Sequence, residues 1–404
     1  MSNSSLPHAD AFTAESLRDP HALYAKMRDE APVQKVVLPQ GLAVWLLTRY
    51  DDVRAALSDP RLRSDKSDVD GILRNHLVSQ EARESWVDEL SGNLLNTDPP
   101  DHTRLRRLVN RAFTPRTVAA MRSRIEEVTD ELLDALPRGS EVDLLASFAL
   151  PLPIIVICDL LGVPPEDRGV FTDWSNALLS SADAAETAEA GQKMFAFLGA
   201  LLAEKRARPA DDLLSGLVQV RDEEDRLSEE ELISMALLLL VAGNESTVNL
   251  IGNSVLALLR HPDQLAALRA DPALLPGAIE EFLRYDGPIN TATFRSTAEP
   301  VTFSGVTIPA GELVVVSLLA ANRDAGRFAD PDRLDVTRPA GGHLGFGHGA
   351  HFCLGAPLAR MEGEIALGRL LARFPDIKPA LALDELTYRF STIIHGLEKL
   401  PVIV

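Results

Sequence analysis

One cysteine, Cys353, stands in the run Phe346-Gly347-His348-Gly349-Ala350-His351-Phe352-Cys353-Leu354-Gly355, which leads into Ala356-Pro357-Leu358-Ala359-Arg360. Glycine permits positive φ and close approach of the backbone to a bound group. Aromatic residues beside the cysteine and helix formers after it complete the pattern of a thiolate presented on a tight loop to a large flat cofactor. Backbone N–H groups aimed at the sulfur would tune it, as outer hydrogen bonds do at metal sites. Other uses of a cysteine fit less well. A zinc site takes several Cys or His ligands in paired clusters, and this chain has two cysteines, Cys158 and Cys353, far apart. Iron–sulfur clusters are held by four thiolates. A nucleophilic cysteine needs a base; His351 is close in sequence, with no signature of that chemistry around it.

A second group of reactive residues lies in Leu237-Leu238-Leu239-Leu240-Val241-Ala242-Gly243-Asn244-Glu245-Ser246-Thr247-Val248-Asn249. A helix apolar all round is a buried one. This one breaks its apolar run with two small residues, Ala242 and Gly243, and then an acid and hydroxyls. Burying an unpaired carboxylate costs several kcal/mol, so Glu245 needs either a cationic partner at a helix junction or a task. Proton delivery is such a task, because a hydroxyl beside an acid can relay protons. Thr247 follows Ser246 about 100° further round the helix and is not expected to replace it. A third group, Glu281-Phe282-Leu283-Arg284, sets acid and arginine on one helix face, where they can pair; such spacings are common by chance.

The elements that must position these groups are mostly helical. Apolar periodicity predicts helices over Asp51–Leu57, His102–Phe113, Pro115–Leu136, Leu145–Leu161, Pro165–Ser181, Glu186–Arg206, Ser228–Leu259 and Pro276–Tyr285. Pro32–Thr48 alternates and reads as a hairpin turning at Gly41, with further strands at Val301–Phe303, Val306–Ile308 and Leu313–Leu318 and a strand pair over Leu386–Val404 around Gly396. Pro60–Asn96 lacks periodicity and reads as a long loop with helical pieces, a kind of segment that is often functional. The expected fold class is mainly α, with a small β-rich part.

Composition bounds the setting. The 404 residues are 46% hydrophobic, enough for a sizeable core, with no linker-like stretch, so residues 1–404 are expected to form a single domain. The formal net charge of −19 argues against a nucleic-acid partner. Met1–Leu23 lacks the apolar stretch of a signal peptide, and the best apolar run, Leu232–Ala242, is too short to span a bilayer. A cytoplasmic, membrane-free protein is expected, with Cys158 a small core residue inside Ile154-Ile155-Val156-Ile157-Cys158. Arg104, Arg107, Arg111, Arg116, Arg122 and Arg124 form a local basic run, either a docking patch for an acidic partner or a solvated helix face.

The cysteine loop, the Ala242-Gly243-Asn244-Glu245-Ser246-Thr247 segment, the Glu281/Arg284 pair, Asp98–Arg111, Ala321-Asn322-Arg323-Asp324 and Phe328–Leu334 occur in the order seen in the cytochrome P-450 family, and the chain resembles that family along essentially its whole length. The resemblance implies the cytochrome P-450 fold, a large helical part around a buried haem b with a small β-rich part. Cys353 would be the axial iron ligand; such a thiolate pushes electron density onto haem iron and favours O–O cleavage. Phe346, Gly355, Ala242 and Gly243 would be among the haem-binding residues, the last two leaving room for O2 between helix and haem. Propionate-binding positions of the family fall on His102, Arg106, Arg295 and His351. Glu245 and Ser246 would carry protons, although Ser246 stands where the family usually has threonine and lacks the methyl that restrains χ1. Glu281 and Arg284 would be completed by a downstream arginine, for which Arg333 is the candidate.

The chain looks most like soluble bacterial, actinomycete-type enzymes that take electrons from a ferredoxin and its reductase, and no fused reductase is expected. The implied reaction inserts one atom of O2 into a C–H bond, or epoxidises an alkene, of a small apolar substrate. The family's substrate-lining positions fall on Val69–Leu95, Phe171–Met194, Leu239, Val241, Ile289–Thr293, Ile393 and Ile394, which are aliphatic-rich. They favour a macrolide or other polyketide first and a steroid or secosteroid second. A peroxide-driven enzyme would bring an arginine where Glu245 and Ser246 stand, and a non-catalytic haem protein would not need those residues.

Overall fold

The computed structural model describes residues 19–38, 42–65, 93–180, 184–219 and 225–404, with isolated positions 16, 69, 221 and 222. The turn expected at Gly41 and most of the loop expected over Pro60–Asn96 lie outside the described residues. The helices used below are α1 (Pro20–Glu30), α2 (Tyr50–Ser58), α3 (Asp101–Ala112), α4 (Arg122–Asp134), α5 (Pro151–Leu161), α6 (Arg168–Ser180), α7 (Ala184–Ala207), α8 (Glu229–Arg260), α9 (Leu275–Asp286) and α10 (Ala356–Arg373).

The long α8 is the axis of the molecule. Ser228 caps it, accepting from the Glu231 N–H while the Glu231 carboxylate accepts from the Ser228 N–H, and Glu229, Glu230 and Glu231 complement the positive helix end. Its apolar side chains are buried on every side, from Leu232 to Leu237 and again from Thr247 to Leu258. By length and composition α8 could cross a bilayer; here it is packed against α5, α9 and α10 as the core of the helical part. Cys158 lies in that core on α5, where burial pushes its thiol up to about 12.

Strands β1 (Val33–Val37), β2 (Ala43–Leu47), β3 (Leu62–Arg63), β4 (Arg295–Thr297) and β5 (Leu313–Val316) form one sheet in the order β1-β2-β5-β4-β3. The hairpin pairs antiparallel with Val33 opposite Leu47 and Val37 opposite Ala43, whereas β5 runs parallel to β2. This sheet places Arg295 at the edge of the site described below.

Three sequence expectations are corrected. Pro115–Leu136 is broken at Met121 into a short helix, Pro115–Ala120, and α4. Leu145–Leu161 begins with a π-helical turn over Leu145–Ala149 before Pro151 opens α5. At the C-terminus only Pro401–Ile403 forms a strand, pairing with Glu141–Asp143 and Lys378–Pro379; the stretch around Gly396 carries just isolated bridges, Tyr388 with Leu397 and Ile394 with Ile289. Side-chain contacts hold that stretch instead.

Candidate active site

The cysteine loop is shaped by two glycines in the left-handed region, Gly347 at φ +71° and Gly349 at φ +75°. A side chain on Gly349 would also press on the Leu57 carbonyl, 2.8 Å from its Cβ, so this position needs glycine twice over. Gly355 adopts φ −78° and has no such need. It and Ala356 instead direct backbone N–H groups at the Cys353 sulfur. Burial raises the Cys353 thiol, and those amides together with Arg106 and Arg360 oppose the rise. The Cys353 N–H donates to the Phe346 carbonyl at 2.9 Å, closing the loop. Phe346 is buried beneath it, with the Arg360 guanidinium 4.5 Å from its ring centre.

Beside the loop, His102, Arg106, Arg295 and His351 converge from α3, β4 and the loop itself. The His102 and His351 rings lie 4.3 Å apart. Burial first, then the neighbouring His102, Arg295 and Arg106, push His351 down to about 3. Burial likewise lowers His102, Arg106 and Arg295. Arg295 Nη1 reaches the Ala56 and Leu57 carbonyls, 3.3 Å each. Its Nε and the Nε2 of His102 are buried with no partner among the described residues. Two arginines beside two imidazoles, with donors left orphaned, fit an anion, because an unsatisfied buried donor costs about 1–3 kcal/mol.

On α8, Ala242 and Gly243 are exposed between two buried stretches, and a Cβ on Gly243 would meet nothing within 4 Å among the described residues. Ser246 Oγ donates to the Ala242 carbonyl at 2.7 Å and Thr247 Oγ1 to the Gly243 carbonyl at 3.0 Å. Both bonds run back one turn, a pattern that bends helices. Glu245 has a cationic partner, Arg389 Nη1 at 2.6 Å from its Oε1. Burial raises the carboxyl of Glu245 while Arg389 pulls it down. Arg389 was not identified from the sequence, since it lies 144 residues away in an irregular stretch.

Sequence reasoning also missed Glu362, nine residues past the cysteine on α10. It is 3% exposed, and burial pushes its carboxyl up to about 8 against the hydrogen bond with Thr247. The signal was present: Glu362 shares the buried helix face of Leu358, Ile365 and Ala366. Thr247, set apart from Ser246 in the sequence, therefore faces a protonated acid.

The raised Glu362 predicts a stability effect. The folded state holds this proton while the unfolded carboxyl ionises above its ordinary value of 4.5, so stability falls as pH rises from 4.5 to about 8 and is level beyond. At about 1.4 kcal/mol for each pH unit, the full effect has an upper bound of roughly 4–5 kcal/mol. Glu362→Gln keeps hydrogen-bonding atoms and removes the ionisation. It should unfold at higher temperature than the parent at pH 8 and lose that advantage towards pH 4.5; thermal melts across this range check it, and a pH-independent difference would refute the assignment.

The Glu281/Arg284 pair is fully buried and bidentate, with Nε to Oε2 at 2.6 Å and Nη2 to Oε1 at 2.8 Å. Its third member is Arg338, whose Nε lies 3.2 Å from Glu281 Oε1, and not Arg333. The Arg333 side chain points outward at Asp335, 3.7 Å away and 65% exposed, and only its carbonyl accepts from Arg284. Arg284 also donates to the Asn322 and Pro331 carbonyls, and Asn322 Oδ1 accepts from the Leu344 N–H at 2.6 Å. The start of the cysteine loop thus hangs from this buried cluster. Glu280, one residue earlier, pairs with Arg360 and His343, which hold its carboxyl at about 2 despite burial.

Of the expected substrate-lining positions, Thr291, Ala292 and Ile393 line a small cavity with Leu38, Leu46 and Thr392. Phe171 and Met194, which bound another expected stretch, are both 0% exposed inside the α6–α7 packing, where Phe171 meets Phe197 edge-on. Most of Val69–Leu95 lies outside the described residues.

A thiolate loop, an anion cradle beside it and an opened helix carrying acid and hydroxyls define a haem-thiolate site. A family model described as "Cytochrome P450" matches residues 171–379. The Vitamin D(3) 25-hydroxylase of Pseudonocardia autotrophica is 51% identical over 97% of this chain and 96% of its own length. The 6-deoxyerythronolide B hydroxylase of Saccharopolyspora erythraea is 46% identical over 95% of this chain and 96% of its own. Among solved structures, the tirandamycin C-bound P450 monooxygenase TamI is 48% identical with a TM-score of 0.88, covering 96% of this chain and 98% of that one. The chain belongs to the cytochrome P450 family, a monooxygenase that binds haem b.

Proposed function

We propose that this chain is one haem domain that hydroxylates or epoxidises a macrolide or other bulky apolar polyketide, in the cytoplasm, with electrons from a ferredoxin and its reductase. The observation that carries the site assignment is the half-buried Cys353 sulfur, backed by two amides and set beside the orphaned donors of Arg295 and His102. Those donors fit the two carboxylates of haem: His102, Arg106, Arg295 and His351 would hold the propionates, and Cys353 the iron. When bound, haem supplies the activation of O2 and transfer of one oxygen atom to substrate, the other leaving as water.

The chain's own residues do the rest. Ala242 and Gly243 leave space along α8. Ser246 Oγ spends its proton on the Ala242 carbonyl and so offers lone pairs to a proton-donating water. Glu245 can hand protons through that water, while Glu362 holds one at Thr247 from the opposite side of α8. Ser246→Ala should cut product per NAD(P)H by more than half with little change in substrate affinity. Measuring product, NAD(P)H and hydrogen peroxide together checks it, and unchanged coupling would show that protons travel elsewhere.

The polyketide reading is supported by the 6-deoxyerythronolide B hydroxylase among the relatives. A secosteroid is the second reading, favoured by the Vitamin D(3) 25-hydroxylase at 51% identity. Titrating 6-deoxyerythronolide B and vitamin D3 and following the Soret shift tests the two directly. For the ferredoxin, the exposed Phe352 next to the ligand loop supplies an apolar docking contact. Within the basic run, Arg104 pairs with Glu231, Arg122 with Glu126, and Arg124 with Asp159. Product formation with ferredoxin and reductase, compared with peroxide alone, tests the electron source.

A further inference from the structure

We propose that Arg389 is a positioning residue which fixes the Glu245 carboxylate, and that substrate covering the turn around it makes proton delivery depend on occupancy. This rests on the role given above to Glu245. The observation behind it is a juxtaposition: the counter-ion of the acid and two uncovered apolar side chains share one short turn.

Residues 388–396 are pinned at their C-terminal end. The Ile393 and Thr392 carbonyls accept from Asn290 N at 2.7 Å and Thr291 Oγ1 at 3.0 Å. The His395 carbonyl accepts from Asn253 Nδ2 on α8 at 3.0 Å, and that amide also reaches the Asp286 carbonyl. His395 and His21 both bond one oxygen of Asp286, at 2.9 and 2.8 Å. Gly396 is pressed against Asn249, leaving no room for a side chain. At the other end, the Arg389 N–H donates to the Gly396 carbonyl at 2.9 Å and its guanidinium holds Glu245.

Between these anchors, Phe390 is 59% and Ile393 37% exposed. They are two of the four large apolar side chains left exposed among the described residues. Ile393 also lines the cavity with Leu46 and Ala292. An apolar molecule seated there gains free energy by covering them, and the substrate class proposed above has that character.

The Arg389 and Glu245 side chains are 28% and 20% exposed, so water reaches the pair when the turn is bare. A substrate over Phe390 and Ile393 excludes that water. The attraction then strengthens as the local dielectric falls, and Glu245 is held by Oε1, leaving Oε2 to exchange a proton with water near Ser246. With the turn bare, water competes for the guanidinium and the carboxylate loses its fixed direction. Covering the turn and orienting the acid are one event, and the coupling is reciprocal.

The test uses the holoenzyme with ferredoxin and reductase. The probe is whichever of 6-deoxyerythronolide B and vitamin D3 gives the larger Soret shift. Arg389→Gln should lower product per NAD(P)H several-fold, to the level of Glu245→Gln, and the double variant should be no worse than either single. Arg389→Lys should recover most of the loss. Phe390→Ala should lower coupling in the parent and add nothing in Arg389→Gln. A readout free of turnover is the carbon monoxide stretching frequency of the reduced adduct, which senses the distal field. It should move in Arg389→Gln and return towards the parent in Arg389→Lys, with haem content unchanged. If Glu245→Gln leaves coupling intact, the underlying role of Glu245 fails. If Glu245→Gln uncouples while Arg389→Gln does not, or if the two losses add, the role of Arg389 alone is overturned. Loss of haem in Arg389→Gln and Arg389→Lys alike would also overturn it, by marking a structural arginine.

Discussion

Glu281→Ala should yield a protein that folds poorly and fails to retain haem. The substitution leaves Arg284, 0% exposed, with its charge unpaired, and breaking a buried pair by removing one partner costs about 3–5 kcal/mol. The loss spreads along a defined path. Glu281 Oε1 also accepts from the Asp335 N–H and from Arg338, and Arg284 grips the Asn322 carbonyl, whose side chain holds Leu344 at the entry to the cysteine loop. Urea titration and haem content measured together check this. Two controls locate the third arginine. Arg338→Ala should share much of the defect, because it strips a second cation from Glu281. Arg333→Ala should fall within about 0.5 kcal/mol of the parent, as exposed substitutions do. The opposite ranking would show that the pair draws its support from Arg333 after all.

That reversal shows what the sequence could carry. Acid and arginine three apart on one helix are legible because the helix fixes their geometry. The third member lies across an irregular stretch, and two arginines five residues apart are indistinguishable until the turn is known. Here the Asp335 carboxylate accepts from the Thr337 N–H, and the turn it makes directs Arg338 inward and leaves Arg333 in solvent. The same division holds at the active site. Cys353, Gly347 and Gly349 were readable since residue type and tight spacing define the loop. Glu245 declared itself as an acid inside an apolar helix, and both readings offered for it, a cationic partner and a protonic task, are compatible with the Arg389 pair.

Arg389 itself was hidden because it belongs to a segment without regular pairing, where the expected strand is replaced by side-chain bonds from Asn253, Thr291 and Asp286. Phe171 and Met194, the ends of a stretch placed at the substrate by resemblance, both turn into the packing between α6 and α7. Apolar periodicity shows that a helix has a buried face, and does not distinguish a face turned to a cavity from one turned to a neighbouring helix. Glu362 could have been found by asking of every helix which acid interrupts its buried stripe.

Cys353→Ser should abolish product formation and replace the thiolate-type spectrum of the reduced carbon monoxide adduct, while leaving the fold intact. The loop does not depend on sulfur for its shape: the Cys353 N–H to Phe346 carbonyl bond, the positive φ of Gly347 and Gly349 and the packing of Phe346 under Arg360 all survive the change. What is lost is charge and electron donation. An alkoxide is far harder to form than a thiolate, so the Gly355 and Ala356 N–H groups would face a neutral hydroxyl where they now stabilise a developing negative sulfur. Near-native thermal unfolding with no oxidation of substrate is the expected combination, measured by calorimetry and product analysis on the same preparation. The second arm is Arg360→Ala, which removes a cation that favours the thiolate and leaves Glu280 with His343 alone among the partners described above. It should retain the thiolate spectrum and lower the haem reduction potential, since removing a positive charge near the ligand favours the oxidised iron. Oxidation that persists in Cys353→Ser would remove the thiolate from the mechanism, and with it the reason for the two amides that point at its sulfur.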